Sequence, residues 1–127
     1  MGRSLKKGEG WRVGWDPDVS RPFQGLLGTD DWAVELTAAE FTDFCRLLVQ
    51  LADTVASIAS ELMAEERIAI EAESDLVWLE IEGFPDCYSL RILLLTQRNI
   101  EGNWPPAAVQ QLLQWSRIFY KTQELPL

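Results

Sequence analysis

The segment from Thr37 to Leu62 constrains the fold more than any other part of the chain. Thr37-Ala38-Ala39-Glu40 has the spacing of a capping box, in which the Thr hydroxyl and the Glu carboxylate satisfy free backbone N–H groups at a helix start. Phe41, Phe44, Leu48, Leu51, Val55, Ile58 and Leu62 then recur at alternating steps of three and four. That pattern is one apolar seam about three heptads long, with Cys45, Ala52 and Ala59 running beside it. About 25 helical residues at 1.5 Å rise reach roughly 37 Å, longer than an average globular helix. Such a helix spans a whole sheet face or projects into a partner.

The flanking segments read as that sheet. Before the helix, Trp11, Val13 and Trp15 alternate with Arg12 and Gly14, and Asp16-Pro17-Asp18 breaks the run. Phe23 to Gly28 leads through Thr29-Asp30-Asp31 into Trp32 to Leu36, a hairpin pattern. After the helix, Ile68 to Ala72 turns at Ser74-Asp75 into Leu76 to Gly83, and Phe84-Pro85-Asp86 turns into an apolar run from Tyr88 to Thr96. Asn99 to Asn103 reads as a polar loop. Pro105-Pro106 starts a last helix, where the missing proline N–H costs little, with Val109, Leu112, Leu113 and Phe119 facing inward. The expected architecture is α+β, two successive antiparallel meander-plus-helix units (βββα-βββα) in a single domain over residues 1–127. Residues 1–9 are read as a flexible basic arm and 122–127 as a tail.

Composition removes several function classes. The chain has no histidine, which eliminates His-based triads, His general bases and nearly all catalytic zinc sites. Cys45 and Cys87 are too few and too scattered for a disulfide framework or a metal site, so a reduced, cytoplasmic chain is expected. The longest apolar runs, such as Ile92 to Leu95, fall far short of the roughly twenty residues that cross a bilayer, and no membrane partner is expected. Asp16-x-Asp18 fails as an EF-hand because Arg21 and Leu27 stand where Gly and Glu are required. Gly8-x-Gly10 fails as a dinucleotide fingerprint because a strand follows it. No catalytic set, metal ligand or cofactor site is expected.

Charge is unevenly placed. The net charge is −9, and between Glu61 and Asp86 nine carboxylates face Arg67 alone. Glu71 and Glu73 share one strand face and Glu80 and Glu82 another, so an aligned register makes one sheet face acidic. Alternation of a solvated strand accounts for this spacing without a glycosidase pair or a hard-metal site. Five of the eleven basic residues fall in the first 21 positions. Arg3, Lys6, Lys7 and Arg12 beside Trp11 and Trp15 are the only segment with the ingredients of a nucleic-acid contact. Six tryptophans are many for this length. Trp78 and Trp104 are the two expected to be exposed, which completes the candidate interaction set.

The opening Gly2-Arg3-Ser4-Leu5-Lys6-Lys7-Gly8-Glu9-Gly10-Trp11-Arg12-Val13-Gly14-Trp15-Asp16-Pro17, Phe23-Gln24-Gly25-Leu26-Leu27-Gly28 and the acidic hairpin resemble a family of small uncharacterised cyanobacterial proteins, domain of unknown function family 1818. The resemblance covers nearly the full chain. It implies a fold grouped with the single-stranded-DNA-binding transcriptional regulators of the Whirly kind, which carry four strands in each sheet-then-helix repeat. It assigns no functional residue, and an acidic chain departs from a typical DNA binder.

Two functions follow as expectations. The first is a non-catalytic protein-interaction or regulatory domain that forms a homo-oligomer, from the long seam and the tryptophans. The second is a single-stranded nucleic-acid binder, disfavoured by the net charge.

Overall fold

The computed structural model describes residues 2–62 and 65–126. The elements are β1 (Ser4–Gly8), β2 (Trp11–Trp15), β3 (Gly25–Gly28), β4 (Ala33–Leu36), α1 (Ala38–Ile58), β5 (Ile68–Glu73), β6 (Val77–Phe84), β7 (Cys87–Leu94), β8 (Glu101–Trp104) and α2 (Pro106–Thr122). Two sheets result, ordered β1-β2-β3-β4 and β5-β6-β7-β8, each followed by a helix. All neighbouring strands are antiparallel. The α+β class and the two strand-then-helix units are therefore as the sequence indicates.

Each unit holds one strand more than the hydrophobic pattern assigns. Residues 4–8, read as part of a flexible arm, form β1 and pair with β2 along its whole length. The segment read as a polar loop, Asn99 to Asn103, supplies all but the last residue of β8, which pairs with β7 from Leu90↔Trp104 to Leu93↔Glu101. Both are edge strands without an apolar alternation, β1 because its inward residues are Ser4, Lys6 and Gly8 and β8 because Trp104 is its one large apolar residue, and period-two alternation cannot reveal such strands. The segment read as a tail is also anchored. Leu125 is buried, and its carbonyl accepts a hydrogen bond from Ser4 Oγ at 2.8 Å.

The capping box at α1 is complete. Glu40 N–H donates to Thr37 Oγ1 at 3.1 Å, and Thr37 N–H donates to Glu40 Oε1 at 2.8 Å. The α-helix ends at Ile58, four residues before the seam does, and tightens into a 3₁₀ turn at Ala59–Glu61. Thr54 Oγ1 and Ser57 Oγ donate back to the carbonyls of Gln50 and Thr54. Such back-bonding weakens a helix end and favours the tighter turn.

Both helices pack on both sheets, α1 against β3, β4, β5 and β6, and α2 against β2 and β7. The units therefore share one core. At its centre Trp15, Phe41 and Phe119 pack ring against ring, with centroids 4.6–5.4 Å apart. Gly25 permits this, because a Cβ there would lie 2.6 Å from the Phe41 ring.

Among the polar ties that fasten the units, two involve the β7–β8 region. Trp104 Nε1 donates to Gly28 O at 2.9 Å while its ring packs 5.2 Å from Trp32. The second is Arg98, between β7 and β8, whose guanidinium donates to Glu35 O and pairs with Glu40. It also lies 4.8 Å over the Phe23 ring. Glu40 thus serves both the helix cap and the junction between units.

Candidate functional site

The sequence-selected residues do not converge on one place. Trp104 belongs to the core, at 1% exposure, which corrects its expected exposure. The reason is its pairing with Leu90, which puts it on the inward face of β8. Trp11 is buried as well, and Trp15 is half-buried against Phe41, so neither offers a free ring face for stacking. Lys6 points inward, with Nζ 5.3 Å from the Trp115 ring. Arg12 clamps the β3–β4 turn by donating to the carbonyls of Thr29 and Trp32 at 2.6 and 2.9 Å. Only Arg3 and Lys7 remain as exposed cations of that set. Lys7 and Arg12 are directly opposite across β1 and β2, on the outer face of the first sheet.

The outer face of the second sheet is a more coherent surface. Its register aligns Glu73, Trp78, Leu93 and Glu101 in one row, and Glu71, Glu80, Arg91 and Asn103 in the next. Ala69, Glu82 and Ser89 make a third row. Inward positions of the same strands, Leu79, Ile81, Leu90 and Ile92, are almost fully buried. The acidity anticipated from alternation therefore lies on one sheet face, five glutamates against two arginines.

Those arginines occupy equivalent environments. Arg91 lies 5.5 Å over the Trp78 ring and bridges to Glu101 at 3.3 Å. Arg67 lies 6.0 Å over the Phe84 ring and pairs with Glu82. Each guanidinium thus sits between a carboxylate and an aromatic face, a combination of ion pair and cation–π attraction. Between the two lies a like-charged pair that has Arg91 as a cross-strand neighbour but makes no ion pair with it. Glu71 and Glu80 are directly opposite, an arrangement that destabilises a sheet. Glu71 accepts only a 3.3 Å hydrogen bond from Trp78 Nε1, and Glu71, Glu73 and Glu80 form no ion pair among the described residues. No composition argument singles out this pair, because the contact depends on the β5–β6 register.

The remaining titratable groups have local roles. Ser20 donates through its hydroxyl and its N–H to Asp18, which holds that carboxyl below its usual value. Burial pushes the Cys45 thiol up to about 12, partly offset by a hydrogen bond with Ser116. Cys87 is exposed. Among the described residues no three His, Cys, Asp or Glu side chains converge on a metal-sized point. No helix there is long and apolar enough to cross a membrane.

The family profile of the Domain of unknown function (DUF1818) matches residues 6–118, from β1 into the penultimate turn of α2. The chain belongs to the DUF1818 family. The match spans both units, so the acidic face and the Arg98 junction lie inside the DUF1818 domain. This DUF1818 chain is also similar to a protein with unknown function, described as from the DUF155 family, of Prochlorococcus sp. NATL2A. The two are 28% identical, cover 94% of this chain and 99% of the other, and superpose with a TM-score of 0.84. No curated protein matches the DUF1818 chain.

Proposed function

We propose that this DUF1818 domain is a non-catalytic, self-associating interaction module whose outer acidic sheet face receives a basic segment of a protein partner. The carrying observation is the repeated guanidinium environment on that face. Twice the chain seats its own arginine between a ring and a carboxylate, and between them Glu71 and Glu80 stand opposed with no ion pair among the described residues, because Arg91, the cross-strand neighbour of Glu80, turns its guanidinium to Glu101 and Trp78. A partner arginine or lysine reaching this pair would remove a like-charge repulsion as well as add an attraction. The net charge of −9 favours cationic partners at long range.

Calorimetric titration at low ionic strength with a short arginine-bearing peptide tests the reading. Binding that weakens with salt and is lost in Glu71→Gln/Glu80→Gln supports it. No heat with the wild type, or equal binding by the double variant, overturns it. The nucleic-acid reading draws on the four strands in each unit, the number found in Whirly repeats, and on exposed Arg3 and Lys7. A labelled single-stranded oligonucleotide run beside the peptide separates the two readings.

A further inference from the structure

Of the four sheet edges, three are guarded and one is open among the described residues. The β1 edge carries Lys6 and Lys7, a common device against strand addition. At β4 the Arg98 guanidinium occupies the Glu35 carbonyl. At β8 Trp104 is hydrogen-bonded to the first sheet, and Gly102 abuts Trp32. The sequence of β5, Ile68-Ala69-Ile70-Glu71-Ala72-Glu73, has neither lysine nor proline, and the strand ends its sheet. Its inward residues Ile70 and Ala72 are only half-buried, in contrast to fully buried Leu79 and Ile81 beside them. Leu62 and Leu76 nearby are half-buried too.

The hairpin fixes which backbone groups face outward. Ser74 N–H donates to Val77 O, so the closely bonded pairs continue at Ala72↔Leu79 and Ile70↔Ile81. Ala69, Glu71 and Glu73 therefore aim their N–H and C=O groups away from β6, toward the open edge. We infer that this edge pairs antiparallel with β5 of a second copy, about a two-fold axis at Ile70, joining two second sheets into one. This deepens the interaction reading by naming one partner and its register.

Residue parity and charge select that register. Keeping inward residues on one face requires an even shift, because a one-residue slip would turn Ile70 outward. With the axis at Ile70, Ile70 meets Ile70, and Ile68 meets Ala72 of the second copy. Ala69 and Glu71 then exchange ladder hydrogen bonds in both directions. Glu73 stands opposite Arg67 of the other copy, twice, while the two Glu71 side chains meet only on the diagonal. The contact is isologous and closes on itself, so it yields dimers and not fibres.

Ala69→Pro is the discriminating variant. It removes an outward donor, and proline is tolerated on an edge strand where no ladder bond within the chain is lost. Sedimentation equilibrium of the whole chain should give a dimer for the wild type. Ala69→Pro should weaken it about 100-fold, since each copy loses one edge donor and meets the proline ring. Glu73→Lys should also weaken it, and Arg67→Glu/Glu73→Lys should restore it. Amide exchange gives a second readout, with Ala69, Glu71 and Glu73 slowing as protein concentration rises. A wild-type chain that stays monomeric, or a dimer indifferent to Ala69→Pro, overturns the inference. So do exchange rates at these three amides that are independent of concentration. Mass reports the edge and the peptide titration reports the face, so failure of one is distinguishable from failure of the other.

Discussion

Replacing Arg98 with Met tests how firmly the two units are joined. The Met side chain keeps most of the apolar stem but deletes the guanidinium, which serves the Glu40 carboxylate, the Glu35 carbonyl and the Phe23 ring. Glu40 is 3% exposed in its side chain and Arg98 30%. Deleting one partner of a buried pair costs about 3–5 kcal/mol because the other charge is stranded. Here Glu40 keeps the Thr37 N–H and the positive end of α1, and Arg98 is partly solvated, which lowers the expectation to about 2–3 kcal/mol. Urea unfolding followed by far-UV circular dichroism measures it. The surface pair Arg117–Asp53, 46% and 61% exposed, serves as the internal control. Arg117→Met should cost less than about 1 kcal/mol. Adding Glu40→Gln to Arg98→Met should recover stability, since the stranded charge disappears while an amide oxygen still accepts from Thr37. A loss under about 0.5 kcal/mol for Arg98→Met, equal to the control, would refute the argument that this tie holds the units.

Three further outcomes are expected. Trp104→Phe should lose about 2–4 kcal/mol in the same assay through a cavity and the loss of the indole hydrogen bond to Gly28, whereas Trp78→Phe should stay within about 0.5 kcal/mol. Gly25→Ala should destabilise by about 1–3 kcal/mol, because the new methyl would press on the Phe41 ring. Cys45 keeps its proton to about 12 in the fold, but an unfolded thiol ionises near 9. The unfolded state then binds fewer protons, so stability falls as pH rises from about 9 toward 12. Cys45→Val should show a shallower alkaline decline in urea midpoint, and in the wild type only Cys87 should react quickly with a thiol reagent.

Legibility in the sequence followed the range of the interactions. The capping box and seam of α1 are local, and the helix forms where they indicate, with its end shortened by hydroxyl back-bonding that a hydrophobic count ignores. Alternation located six strands and the acidity of one face. It missed β1, whose inward residues are Ser4, Lys6 and Gly8, because they bear no apolar signal. It missed β8 because Trp104 is the only large apolar residue in Glu101-Gly102-Asn103-Trp104. The same residue was misread as exposed, since only the cross-strand partner Leu90 gives it a direction. Arg98 could not be found from spacing, because its partners are 58 and 63 residues away. The basic N-terminal set dissolved for a related reason. Lys6 and Arg12 are charged in composition but engaged by Trp115 and two carbonyls in the fold.

The hydrogen bond from Ser4 to the Leu125 carbonyl spans 121 positions, and its consequence is topological. The first strand and the segment after the last helix lie side by side, so a short covalent linker between them would meet little strain. The chain is then close to a closed loop of two strand-then-helix arcs. Its opening could be moved to another exposed turn, such as Glu9-Gly10 or Pro85-Asp86, with the same contacts assembled in a different temporal order.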